Sequence, residues 1–320
     1  MKLDKTLLAL AATVLLWATA FPAIRVALDG YGPAQLSFLR LAVASLALAA
    51  VAPLLGVRRP AGADLWRIAI AGGAGMSAYQ LLLNWGEIHV PAGTASLIVA
   101  AVPAMSAVLA VCFLGERLTP AKAGGSLVAL AGAALIAVSG KESGYTVAAW
   151  AVLAAAFSQA VYHLTIKPLL QRYSGLEVAA YAMWAGTALL APLAPGAVRA
   201  TLDAPAGATA AVVFLGLLPS AAGFVIWGYA VARLSVTAAT AALHLVPAVT
   251  LAVSYVWLGE QPRPVALLGG LITIAGLVLL NKRRGTAKHL PGPVPITSRP
   301  PAPPLLKPAS LPADAHGERP

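Results

Sequence analysis

Apolar residues run in blocks along most of this chain, and each block stops at a short break that collects the charges, prolines and glycines. A block of roughly twenty residues, coiled at about 1.5 Å per residue, crosses the hydrocarbon core of a bilayer. The pattern predicts ten helices, at approximately 6–26, 34–54, 65–85, 93–113, 122–139, 147–167, 177–194, 209–230, 236–257 and 264–281. The expected fold class is all-α integral membrane, with ten transmembrane helices.

The blocks are also duplicated. Val102-Pro103-Ala104, Leu114-Gly115-Glu116, Pro120, Gly125 and Ala131-Gly132 return 144 residues later as Val246-Pro247-Ala248, Leu258-Gly259-Glu260, Pro264, Gly269 and Ala275-Gly276. An internal repeat in a many-helix membrane chain points to a transporter whose related halves rock around a central site. The division is residues 1–140 for the first five-helix repeat, 141–284 for the second, and 285–320 for a Pro-rich cytoplasmic tail that reads as disordered. A cleavable signal peptide at residues 1–20 would leave nine helices and spoil the five-plus-five repeat, so the uncleaved reading is preferred.

Positive charge then orients the chain. With the N-terminus in the cytoplasm, fourteen Lys and Arg fall in cytoplasmic loops and only Arg25, Lys141, Arg199 and Arg263 on the other side, which places both termini inside. An odd number of helices per half inverts the second repeat relative to the first. The net charge of +11 is therefore mainly a topology signal, and its dispersal over loops gives no support to nucleic-acid binding. Only 10% of residues are charged and Cys112 is the one cysteine, so neither a disulfide nor a metal or redox site is expected, and no cofactor. The partners implied are a small-molecule substrate and the lipid bilayer, with the oligomeric state open and a monomer admissible.

No acid maps near the centre of a predicted helix, which leaves histidines as the titratable groups at depth. His163 shares a helical stripe with Gln159 and Lys167, and His244 one with Thr237 and Thr240. Such residues must face protein or a watery cavity. Helix 3 adds Tyr79, Gln80 and Asn84, and helix 1 adds Trp17 and Thr19, to make the expected substrate cavity. Arg25 and Arg40 read as snorkelling to the outer interface, with attraction of substrate carboxylates as the alternative. Pro22, Pro103 and Pro247 are the expected hinges, because proline frees the carbonyl four residues back. Glu116 and Glu260 read as structural residues of tight connections, and Gly124, Gly125, Gly132, Gly269, Gly270 and Gly276 as small-residue faces for close helix packing.

Trp17-Ala-Thr-Ala-Phe-Pro-Ala-Ile-Arg25, Phe38-Leu-Arg40, Val90-Pro-Ala-Gly-Thr-Ala-Ser96 and the doubled Pro…Leu-Gly-Glu…Pro signature resemble the EamA branch of the drug/metabolite transporter superfamily. The resemblance covers residues 1–284 and implies two five-helix repeats around a cavity formed by helices 1, 3, 4, 6, 8 and 9. It implies an inner-membrane secondary transporter that exports small metabolites by alternating access. The aromatic and neutral-polar lining points to neutral or zwitterionic solutes such as amino acids. Drug efflux or metabolite uptake on the same fold is the alternative within the class. A non-transporting membrane scaffold or sensor is the alternative outside it. An enzyme is not expected, because no HExxH, GxSxG or paired acids occur in any block.

Overall fold

The computed structural model describes residues 5–115, 119–140, 142–234, 239 and 242–281, and every regular element among them is helical. Thr237 and Thr240 of the expected cavity stripe, Glu116 of the first Gly-Glu pair and the tail from 285 onward lie outside the described residues. In chain order the helices are α1 (Lys5–Leu28), α2 (Pro33–Val51), α3 (Leu65–Ile70), α4 (Tyr79–Gly86), α5 (Ala92–Val99), α6 (Val102–Leu114) and α7 (Pro120–Val138). They continue as α8 (Tyr145–Leu169), α9 (Gly175–Leu189), α10 (Ala194–Ala200), α11 (Ala206–Leu215), α12 (Gly223–Arg233), α13 (Val246–Leu258) and α14 (Pro264–Asn281).

Among the described residues, five stretches are long and apolar enough to cross a membrane: Lys5–Leu28, Pro33–Val51, Ala92–Phe113, Tyr145–Leu169 and Ala206–Arg233. Gly175–Leu189 with Ala191–Ala200, bent by 53°, makes a sixth when the pair is taken as one span. The apolar blocks differ in regularity because several are interrupted, and the interruptions recur at the repeat distance. A π-helical segment, Ala71–Ala78, joins α3 to α4, and a second, Gly216–Ala222, joins α11 to α12. Pro219 inside the second has no N–H to give to a regular α-turn. The α5–α6 stretch breaks at Ala100 and Ala101, and a 3₁₀ turn, Ala242–Leu245, precedes α13.

These breaks lie just before Pro103 and Pro247, each of which sits at the start of its helix, where a missing N–H costs little. Pro22 behaves otherwise. The α1 helix runs through it unbroken, so it does not divide its helix as the other two do. Gly115 and Gly259 close α6 and α13 with φ of +65° and +67°. That left-handed conformation costs a residue with a Cβ roughly 1–2 kcal/mol, which accounts for glycine in both Leu-Gly-Glu triplets.

Packing crosses between the halves. The first-half π segment rests on α9, and the second-half π segment rests on α2. Ser77 Oγ donates to the Gly186 carbonyl at 3.0 Å. Elsewhere α7 and α14 meet along their length in the most extensive helix–helix contact of the described residues. A Cβ on Gly132 would lie 2.6 Å from the Gly269 carbonyl oxygen, and one on Gly276 would lie 2.7 Å from that of Gly125. Lipid supplies little hydrophobic drive between helices, so backbone contact of this kind is what holds such a seam. Gly124 and Gly270 take no part in these closest contacts: Gly124 has only Leu279 near it, at 3.9 Å, and Gly270 faces Leu97 of α5. Leu46, Phe113, Leu127, Leu271 and Val256 point outward, as a lipid-facing surface requires.

Candidate functional site

The helix breaks converge on a cavity. Its wall takes Trp17, Phe21 and Ile24 from α1, Arg40 from α2, and Tyr79 and Leu83 from α4. Ser96 and Val99 come from α5, Ala100 from the break, Pro103 from α6, Gln159 from α8, Phe224 from α12, and Leu243, Val246 and Pro247 from the region around the second break. Walls that are largely apolar with a few placed polar groups suit a small organic molecule.

Trp17 is fixed rather than loose. Its indole N–H donates to the Pro219 carbonyl at 3.1 Å, inside the second π segment, and its ring lies 5.1 Å from Phe224 and 5.3 Å from Trp227. The widened turn thus presents the carbonyl that orients the cavity's tryptophan. Thr250 Oγ1 donates to the Ala18 carbonyl at 3.2 Å and ties α13 to the same stretch of α1.

Of the residues expected to form the cavity, the structure brings Trp17, Tyr79, Gln159, Pro103 and Pro247 to its wall. It places others elsewhere. Thr19 Oγ1 donates back to the carbonyls of Leu15 and Leu16 in its own helix. Gln80 and Asn84 are fully buried outside the lining, and Asn84 Nδ2 donates to Ser37 Oγ of α2 at 2.9 Å. His163 lies one layer behind the wall, 5.1 Å from the Trp227 ring, with Nδ1 3.4 Å from Ser106 Oγ. His244 is partly buried beside lining residue Leu243 but is not itself part of the lining.

Arg40 departs from the snorkelling expectation, and Glu87 is a buried charge that the sequence reading did not single out. Arg40 does not snorkel: it is 3% exposed and lines the cavity. Its Nε donates to Ser220 Oγ at 2.7 Å, while Nη1 is buried without a partner. Arg40 stands two turns inside α2, too deep for its side chain to clear the helix end, and it shares a buried stripe with Leu36, Ser37, Leu41 and Ala44. That spacing was a legible signal. Glu87 is the second case, a fully buried carboxylate at the end of α4 with neither oxygen partnered. It extends the buried Gln80–Asn84 face by three residues, a continuation hidden because the break after Gly86 reads as loop.

Around Glu87, Arg25 Nη1 donates to the Glu87 and Ile88 carbonyls, and Arg25 Nε pairs with Glu260 Oε1 at 3.6 Å. Arg25 therefore ties together the α4 end, the α1 end and the loop after α13. At the opposite ends of the helices, Tyr173 and then Arg172 hydrogen-bond Asp64, and they hold its carboxyl below the ordinary aspartate range despite desolvation. Ser174 and Glu177 form a reciprocal cap that starts α9, and Arg58 Nε donates to Glu177 Oε1 at 2.8 Å.

Comparison with known proteins places the chain. The model of the EamA-like transporter family matches it twice, over residues 4–138 and 146–282. A protein of Streptantibioticus cattleyicolor described as a probable terminal-alkyne amino-acid exporter is 62% identical over 283 residues, covering 88% of this chain and 95% of that one. The uncharacterized transporter YdfC of Bacillus subtilis is 35% identical, covering 82% of this chain and 86% of its own length. A solved crystal structure, 21% identical, superposes over 86% of this chain and 96% of its own with a TM-score of 0.61, a likeness of fold. With apolar spans, a central cavity and two matched halves already in place, these likenesses identify the chain as a multi-pass membrane protein that belongs to the EamA-like transporter family.

Proposed function

We propose that this protein is a cell-membrane exporter of small amino acids with uncharged side chains, terminal-alkyne amino acids among them, working by alternating access. The observation that carries the reading is the 62% identity, over nearly the whole chain, to a protein described as a probable terminal-alkyne amino-acid exporter. The cavity supports it chemically. A terminal alkyne is a short, apolar rod, and Phe21, Ile24, Leu83, Val99 and Phe224 offer it an apolar wall.

In this reading residues 1–140 and 141–284 are two inverted repeats of five spans each. The fourteen-to-four asymmetry of Lys and Arg keeps both termini in the cytoplasm. Trp17, Tyr79 and Gln159 contact substrate. The helix breaks before Pro103 and Pro247 act as a pair of hinges, one per half, which alternately narrow the cavity toward each side. Gln80, Asn84, His163 and His244 support that lining from behind, and Thr19 serves its own helix.

The test is counterflow in proteoliposomes with radiolabelled propargylglycine, a terminal-alkyne amino acid, and with leucine and lysine, with and without a pH gradient. Saturable counterflow of propargylglycine, weaker for lysine, is the expected outcome. A folded sample that moves none of the three overturns the reading.

A further inference from the structure

Arg40 is a cation placed in the interior of a membrane protein with one neutral hydrogen bond and no counter-ion in contact. Its guanidinium offers five N–H donors, and the only hydrogen bond it makes among the described residues runs from Nε to Ser220 Oγ. No described carboxylate comes within ion-pairing distance of it. Glu87 and Tyr79 are the ionisable groups that act on it electrostatically, and Glu87 keeps both oxygens unpartnered rather than reaching it. A charge buried without a partner is costly, and in membrane spans such residues mark the path of an ion or substrate. The backbone around Arg40 is fixed: its own carbonyl lies 3.0 Å from the place where a Cβ on Gly216 would stand, so α2 is pinned to the second π segment at this point. The fork is therefore held in place at its Nε edge, while Nη1 has no partner among the described residues.

We infer that Arg40 is the cavity's carboxylate anchor: the Nη edge of its guanidinium receives the α-carboxylate of the transported amino acid. An incoming carboxylate supplies the missing counter-charge and accepts the unused donors, in the planar geometry that suits guanidinium best. Among the buried side-chain atoms of the described lining residues, the other one without a partner is Gln159 Oε1, an acceptor with no use for an anion. The rest of the wall is apolar apart from Tyr79 and Ser96. The cavity therefore distinguishes an amino acid from its amide or ester by one residue, and it rejects carboxylate-free amines of the same side chain. This assignment rests on the proposed amino-acid transport through the same cavity.

The test compares wild type, Arg40→Lys and Arg40→Gln in proteoliposomes with propargylglycine and propargylglycine amide, reading both counterflow and the thermal shift each compound produces. In wild type the acid is carried and raises the unfolding temperature, while the amide does neither. Arg40→Lys keeps the charge but loses the fork, and should raise KM for the acid about tenfold or more. Arg40→Gln should reverse the preference, binding the amide at least as well as the acid. That reversal is read in the thermal shift even if turnover is lost, and a merely structural arginine would not produce it. If wild type carries the acid and both folded variants keep its KM and its preference over the amide, the anchor is wrong while the transport reading stands. If wild type carries no amino acid, the transport reading itself has failed.

Discussion

The seam between α7 and α14 and the cavity between α1, α4–α6 and α12–α13 are built by opposite rules within one apolar interior. At the seam, backbone meets backbone: Gly132 and Gly276 leave no room for a methyl group, and Thr273 Oγ1 donates within the seam to the Gly269 carbonyl at 2.9 Å. At the cavity the helices stay apart, their hydrogen-bond ladders are broken, and buried polar atoms of Arg40 and Gln159 have no partner. Stability is concentrated where contact is complete. In the proposed transport, function is concentrated where contact and hydrogen bonding are left unfinished, because only unsatisfied groups can prefer a ligand to the empty state.

That contrast is open to attack at both ends. The largest effect should come from Gly276→Leu, whose side chain would be driven into the backbone of α7. The expected cost exceeds the usual overpacking range of about 1–3 kcal/mol, because backbone cannot move aside as a side chain can. Thermal unfolding in detergent measures it, and Gly207→Leu, where nothing lies within 4 Å of a new Cβ, is the control that should stay near wild type. Equal losses in both would dissolve the distinction between seam and surface.

Replacing both Pro103 and Pro247 by Ala addresses the cavity. Each proline sits at a helix start, so stability should scarcely change. The restored N–H groups favour continuous helices across Ala100–Ala101 and Ala242–Leu245, and counterflow turnover should fall by about an order of magnitude at similar KM, as for a gating defect. Turnover at the wild-type rate would remove the hinges from the mechanism.

A smaller effect belongs to neither region. Asp64 titrates below the ordinary aspartate value of 3.8 when folded, so its stabilising interaction is complete above that value. It is lost as pH falls from there through the lower folded value. Asp64→Asn should therefore unfold at a lower temperature than wild type at neutral pH, with the two curves converging in acid. A gap that persists unchanged to the lowest pH would show that the carboxylate charge is not what Tyr173 and Arg172 hold.

How far these regions could be read in the sequence follows the same division. The α8 helix spans Tyr145–Leu169 where the apolar block suggested 147–167, and α1 spans Lys5–Leu28 where it suggested 6–26, because transfer into an apolar phase depends on each residue separately. The seam glycines were legible for a similar reason: smallness at a helical spacing has one main use. Helix rotation was not legible. Gln80, Asn84 and His163 are as polar as Gln159, yet only Gln159 reaches the wall, and which face turns inward is set by partners distant in sequence. The π segments left no trace either, since a shift of hydrogen-bond register changes no residue's hydropathy.

The crosswise seating of those π segments also has an order in time. Gly216 settles against Val43 and Arg40, residues that the ribosome has already delivered. Gly72 must wait for Ala182 and Gly186, more than a hundred residues still to be translated, or roughly 5–20 s at ordinary elongation rates. Two contacts that mirror each other in the finished protein thus become possible at different times, one on arrival and the other only after an interval. Apart from Met76 the segment from Ala71 to Ala78 is built of small residues, which offer little for a wrong neighbour to grip while it waits.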